Sequence, residues 1–151
     1  MIDCVNSVIS REYRKFDQAH QENHARQVID RALSFSRFYP VNPEVIYVAA
    51  AFHDLGLSGP RETHHLLSGK LIREDKKLRA WFTEEDIEKI AQAAEDHRAS
   101  ENKEPRTIEG KIIAEADRII DPELTLERTL RYGLEHYKRK KRNLRSKILL
   151  R

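Results

Sequence analysis

Eight residues, VIYVAAAF at 45–52, constrain this chain more than any others. A helix built from them is apolar nearly all round, so it has no face to give to water and must lie at the centre of the fold. The run then stops at His53-Asp54, followed by LGLSGP, whose two glycines and proline break a helix. Two adjacent metal-binding side chains therefore sit where a buried helix ends.

The length of 151 residues allows one domain with a buried core. Charged residues make up 35%, and Gly and Pro number only five each, which suits a compact helical protein. We expect a single domain over 1–151, with its core at about 18–121 and a basic C-terminal helix at about 123–151. Cys4 is the single cysteine; it excludes an internal disulfide and fits a reducing cytoplasm. The N-terminal MIDCVNSVISREYRKF lacks the apolar stretch of a signal peptide. No segment approaches the roughly 20 apolar residues of a membrane span. The expectation is a soluble cytoplasmic protein with no membrane contact.

The net charge of +3 hides an asymmetry. Residues 127–151 hold ten Lys or Arg against Glu127 and Glu135, a net +8 that leaves −5 on the rest. The segment KRKKRNLRSK has the charge to attract nucleic acid or an acidic partner. No aromatic or groove-reading motif accompanies it, so a solvated helical tail is preferred and nucleic acid is not expected.

Periodicity is helical almost throughout, and no segment alternates as a strand does. Residues 1–16 are weakly patterned and suit a short helix. Residues 18–38 carry Ala25, Val28, Ile29, Ala32, Leu33 and Phe35 on one side of a helix that YPVNP ends. Asn42 caps the next helix, with Pro43 at its first position. Further helices are expected at about 61–80, at about 84–98 behind Thr83, and at about 107–120, where Ile108, Ile112, Ile113, Ala116, Ile119 and Ile120 mark the buried face. Asp121-Pro122 stops that helix, and a last one covers about 123–145. Its Leu126, Leu130 and Leu134 either pack on the core or pair two chains into a homo-oligomer. The fold class is all-α.

Polar residues intrude on the buried faces. His24 lies one turn before Val28, His53 one turn after Ala49, and Asp117 one turn after Ile113. An ionised carboxylate in that setting is costly unless paired or metal-bound. Asp54 adds a carboxylate from the fraying helix end. A lone buried His is usually hydrogen-bonded core, and Asp117 has Arg118 beside it, so each residue alone has a structural explanation. Three such groups on three helices are satisfied together by one cation, which makes the set a candidate divalent-metal site.

Five pieces in order, HQENHARQV, AAAFHDLG, THHLLSG, EDHRAS and AEADR, resemble the HD-domain superfamily of metal-dependent phosphohydrolases over about residues 18–121. The resemblance implies an all-α, phosphodiesterase-like helical bundle with a metal between helices. It implies His24, His53, Asp54 and Asp117 as the ligands. Such a nitrogen and oxygen set suits Mn, Fe, Co, Ni, Zn or Mg. His20 looks like the other opening histidine, better suited to the helix start than to ligation. His64 and His97 stand at places where two-metal members hold a second ion bridged by the Asp of the pair, with His65 an alternative to His64. They either do so here or line the pocket and contact a phosphate, and pocket lining is preferred.

A divalent ion lowers the pKa of bound water and polarises a phosphoryl oxygen, as hydrolysis of a phosphate ester or anhydride requires. Arg61, Lys70 and Arg98 lie near the motif pieces and are candidates to hold the remaining negative charge of a substrate. Asp54 and His64 are the candidate catalytic residues. Some nucleotidase-type and alarmone-hydrolase members carry an acidic residue three places after the HD Asp, where this chain has Leu57. The proton of the attacking water must then go to His64, to Glu95 or Asp96, or to solvent. The expectation is a phosphohydrolase acting on a nucleotide or other small phosphorylated metabolite. Two other readings remain: a di-iron oxygenase of the same superfamily, and a nucleotide-sensing regulator that docks a partner through its basic C-terminal helix.

Overall fold

A computed structural model describes residues 1–15, 22–98 and 104–118, with Leu130, Gly133, Leu134 and Tyr137 beyond them. Six α-helices organise the described residues: α1 Ile2–Glu12, α2 Glu22–Ser36, α3 Pro43–Phe52, α4 His64–Glu74, α5 Glu84–Asp96 and α6 Ile108–Asp117. No strand occurs among them. No helix among them is long and apolar enough to cross a membrane. The chain divides into two compact units, Met1–Arg118 and Ile119–Arg151. The boundary falls just before Asp121-Pro122, the expected end of a helix. Of the final helix expected at 123–145, four positions are described; all are helical, and Leu130, Leu134 and Tyr137 are exposed. Leu126 and the KRKKRNLRSK segment lie outside the described residues.

The fully apolar helix takes the central place. Val45, Ile46 and every residue of α3 from Val48 to Phe52 are buried. Helices α1, α2, α5 and α6 all pack on it, while α4 leans on α5 and on the 3₁₀ turn Leu55–Ser58. Each fully buried Ile or Val of this core contributes roughly 1.5–3 kcal/mol by leaving water. The caps follow local chemistry. Asn42 Oδ1 accepts the Glu44 N–H at 2.9 Å ahead of Pro43. Thr83 and Asp86 exchange bonds in a capping box that starts α5. Thr107 Oγ1 accepts the Gly110 N–H at 3.0 Å at the start of α6.

Two segments differ from expectation. The helix expected over 61–80 covers only His64–Glu74. Asp75 leaves it in an extended conformation, and its carboxylate accepts the Lys77 N–H at 2.7 Å, a local turn that competes with helix. The chain then dips back through a 3₁₀ turn that buries Leu78. The helix expected over 107–120 is the other: it ends at Asp117, where Arg118 is extended at φ −65°, ψ 111°, and Ile119 and Ile120 lie outside the described residues. The weakly patterned N-terminus does form a short helix. Val5, Ile9 and Tyr13 recur at intervals of four and are all buried, which docks α1 onto the core.

Candidate metal centre

The site begins with how α3 ends. His53 keeps helical dihedrals, whereas Asp54 turns away at φ −103°, ψ 6°. Consecutive helical side chains diverge by about 100°, so this departure lets two neighbours face one point. The turn is then fixed to α4. Gly56 donates its N–H to Ser68 Oγ at 2.9 Å. A Cβ on Gly56 would lie 1.9 Å from the His64 carbonyl oxygen and 2.7 Å from Ser68 N, so only glycine permits this approach. The contact brings His64, at the start of α4, to the end of α3.

Six side chains converge. His24 Nε2 lies 3.0 Å from Asp117 Oδ1 and 3.8 Å from Asp54 Oδ2. His53 Nε2 lies 3.3 Å from Asp54 Oδ2 and 3.7 Å from Asp117 Oδ1. The other Asp54 oxygen, Oδ1, lies 3.3 Å from His64 Nε2 and 3.6 Å from His97 Nε2. All are buried except Asp117, whose side chain is 28% exposed. Asp54 thus turns one oxygen to His24, His53 and Asp117 and the other to His64 and His97. His65 is buried beside His64, with ring centroids 5.7 Å apart.

Hydrogen bonding shows what this cluster needs. Three imidazoles use Nδ1 on the carbonyl three residues earlier: His53 on Ala50 at 2.7 Å, His64 on Arg61 at 2.7 Å and His97 on Ala94 at 2.6 Å. A carbonyl only accepts, so each Nδ1 carries a proton, and each ring in its neutral form would present a lone pair at Nε2. Those lone pairs face carboxylate oxygens and, at 3.2 Å between His64 and His97, each other. His53 Nε2 is buried and makes no well-formed hydrogen bond among the described residues, the carboxylate oxygens standing 3.3 and 3.7 Å away. Lone pairs aimed at lone pairs need a cation between them. The donor atoms of His24, His53 and Asp117, and those of His53, Asp54 and His97, lie close enough together to hold a metal ion. The residues therefore fit a divalent metal.

The electrostatics agree. Burial pushes the His53 imidazole down, but the Asp54 and Asp117 carboxylates beside it prevail and hold it well above its ordinary value. Burial likewise raises Asp54, yet the charge and hydrogen bonding of His53, with His64 and His97, hold it well below the carboxylate range. Asp117 is depressed too, burial being outweighed by its bonds to His24 and His53. The carboxylates thus pull a positive charge into the cluster. A metal bound there would take the place of that proton.

The remaining candidates fall differently. Arg61 is exposed in the 3₁₀ turn before α4, and its carbonyl takes the His64 Nδ1–H. Arg98 follows His97 and donates to the Glu62 carbonyl, which joins the end of α5 to that same turn. Lys70 is not brought in. It lies two residues from each of the buried Ser68 and Ile72, about 160° round α4 from both, and pairs with Glu74 at 3.8 Å. Glu95 and Asp96 are not placed to take a proton. Arg73 and Arg106 hold Glu95, and Arg106 binds Asp96 through both backbone and side chain. Leu57 is half-buried in the 3₁₀ turn after the pair. His20 lies outside the described residues. Sequence reasoning missed Ser68, which has no signal, and Tyr13, whose signal was its spacing from Val5 and Ile9.

The family model of the HD domain matches residues 22–120, which contain all six clustered side chains. None of the curated proteins matches the sequence significantly. The fold is similar to a crystal structure described as a predicted HD superfamily hydrolase from an uncultured Thermotogales bacterium. That similarity has a TM-score of 0.70 and 19% identity, covering 87% of this chain and 75% of that one. With the family model spanning most of the chain and the namesake pair at the centre of the cluster, this protein belongs to the HD domain family.

Proposed function

We propose that this HD protein is a metal-dependent phosphohydrolase acting on a nucleotide or another small phosphorylated metabolite. The observation that carries the reading is the division of the Asp54 carboxylate between two imidazole sets whose lone pairs converge. His24, His53, Asp54 and Asp117 hold one divalent ion in this reading. Asp54 Oδ1, His64 and His97 form a second position, which we now prefer to pocket lining because their Nε2 atoms face one another and not outward. A divalent ion in such a site acidifies water and polarises a phosphoryl oxygen.

The chain's own groups set the rest. Nδ1 bonds to backbone carbonyls fix the ring planes of His53, His64 and His97 and keep Nε2 free of protons in the neutral form. His64 takes the proton of the attacking water when its Nε2 lone pair is not given to a cation; the same lone pair cannot do both. Arg61, in the turn before His64, and Arg98, next to His97, are our candidates to meet a phosphate. We place the enzyme in the cytoplasm, with the phosphorylated substrate as its partner.

The test is release of phosphate or pyrophosphate from a panel of nucleotides and sugar phosphates, with Mn, Co, Mg, Zn or Fe added to metal-stripped protein. Metal-dependent release, lost in Asp54→Asn and kept in Lys70→Ala, is expected. No release with any metal from folded protein would overturn the reading for those substrates. Two irons per chain with a visible absorption band would favour the di-iron oxygenase, which the same two-position geometry accommodates.

A further inference from the structure

The N-terminal helix lies outside the segment that matches the HD family, which begins at residue 22. Yet the 3₁₀ turn that follows α1 delivers Tyr13, first among the fully buried side chains by size, to the underside of the His53-Asp54 turn. Its hydroxyl donates to the Ala51 carbonyl at 2.9 Å. The Asp54 backbone N–H faces the same hydroxyl as a donor.

These bonds fall where α3 is decided. The last carbonyls of a helix have no intrahelical partner and must find another. In α3 the Ala50 carbonyl takes the His53 ring N–H, and the Ala51 carbonyl takes the Tyr13 hydroxyl. An unclaimed Ala51 carbonyl would favour the Leu55 N–H four residues on, the bond that continues an α-helix. Continuation through Asp54 would swing its carboxylate about 100° from His53 and away from His24 and His64. Two side chains, one from within the site and one from a remote helix, thus stop α3 at the residue where stopping makes the cluster.

We propose that Tyr13 is a positioning residue of the metal centre: its hydroxyl ends α3 at the His53-Asp54 turn and so holds both side chains in one site. The proposal rests on the metal-binding reading above. Residues that orient ligands typically change metal affinity by about 10–100-fold when altered.

The experiment compares metal-stripped wild type, Tyr13→Phe and Val5→Ala. Val5→Ala loosens α1 while keeping the hydroxyl. Mn(II) affinity is read from the resonance of free Mn(II), and melting without metal from circular dichroism. We expect Tyr13→Phe to bind Mn(II) at least about tenfold more weakly, and Val5→Ala to melt earlier with unchanged affinity. Unchanged affinity in Tyr13→Phe, or equal weakening in both variants, would overturn the proposal. Linkage gives a reading on the wild type alone, which holds even if Tyr13→Phe does not fold. If docked Tyr13 favours the metal, the metal favours docked Tyr13. Saturating Mn(II) should then slow amide hydrogen exchange in residues 2–13 as well as 46–56, and protection confined to 46–56 would refute it. A wild type that binds no divalent metal would refute the metal-binding reading and this one together, whereas a loss confined to Tyr13→Phe separates them.

Discussion

Two charged clusters lie close together in the sequence, and they are built on opposite principles. One joins α4, α5 and the segment before α6: Arg73 binds Glu88 and Glu95, and Arg106 binds Glu95 and Asp96. Every carboxylate there meets a guanidinium, so the network is complete as it stands. Arg73 holds Glu88 down at about 2, with Gln92 assisting. The other cluster has two carboxylates and four imidazoles, and its ion pairs among the described residues join these to one another. Three of its rings, His53, His64 and His97, have committed Nδ1 to the backbone, so in their neutral form the Nε2 atoms turned into the cluster are acceptors. A complete network ties helices together. An incomplete one, buried and preorganised, has the donor set that could receive a cation.

Four tests can break the contrast, in descending order of effect. Asp54→Asn replaces one of the two oxygens shared between the halves of the cluster with an NH2 donor and removes the charge; metal retained after dialysis, measured by atomic emission, should fall by more than about a hundredfold, beyond what altering an orienting neighbour costs. Gly56→Ala forces a Cβ into the His64 carbonyl. It should destabilise the fold by about 3 kcal/mol in urea titrations and weaken metal binding as His64 moves. Metal at about a hundred times its dissociation constant should stabilise wild type by about 2.7 kcal/mol, a rise in melting temperature of roughly 10 °C that Asp54→Asn does not show.

The smallest effect belongs to the complete network. The folded-state value of Glu88 lies below its ordinary 4.5, so its stabilisation is present above pH 4.5 and is lost as pH falls towards 2. Glu88 is 47% exposed, and screening keeps the pair's contribution to no more than about 1 kcal/mol. Arg73→Ala should therefore melt only slightly earlier at pH 7 and show a shallower loss of stability between pH 4.5 and 2. A large loss on removing Arg73, matched by a small one for Asp54→Asn, would reverse the comparison.

Much of the fold is legible in the sequence because its signals are local. The apolar circumference of residues 45–52 demands a central helix, and Asn42-Pro43 and Thr83 mark starts that their own side chains enforce. His24, His53, Asp54 and Asp117 are legible for a related reason: each breaks an apolar pattern, and a polar intrusion on a buried face requires an explanation. Lys70 misleads because closeness in sequence to His64 says nothing about which side of a helix a residue takes. Glu95 and Asp96 mislead for the complementary reason. Their partners, Arg73 and Arg106, come from other segments, so their ion pairs are invisible along the chain. The end of α4 at Glu74 was also hidden, since Asp75 competes with the helix through a turn worth only one hydrogen bond.

The sequence by itself determined that this chain is helical, that α3 is its axis, and that a few histidines and aspartates would be buried where burial is costly. Periodicity and composition act on neighbours, so these properties can be read without knowing what packs on what. Tertiary structure alone decided that one carboxylate serves two imidazole sets, and that three of the rings turn Nε2 and not Nδ1 into the cluster. It also decided that a tyrosine from a weakly patterned N-terminus would claim the Ala51 carbonyl. Those outcomes depend on distances of about 3 Å between residues up to 93 positions apart, as between His24 and Asp117. Only packing fixes them, because the energy of a hydrogen bond or a metal contact depends on direction and separation, which the order of residues does not carry.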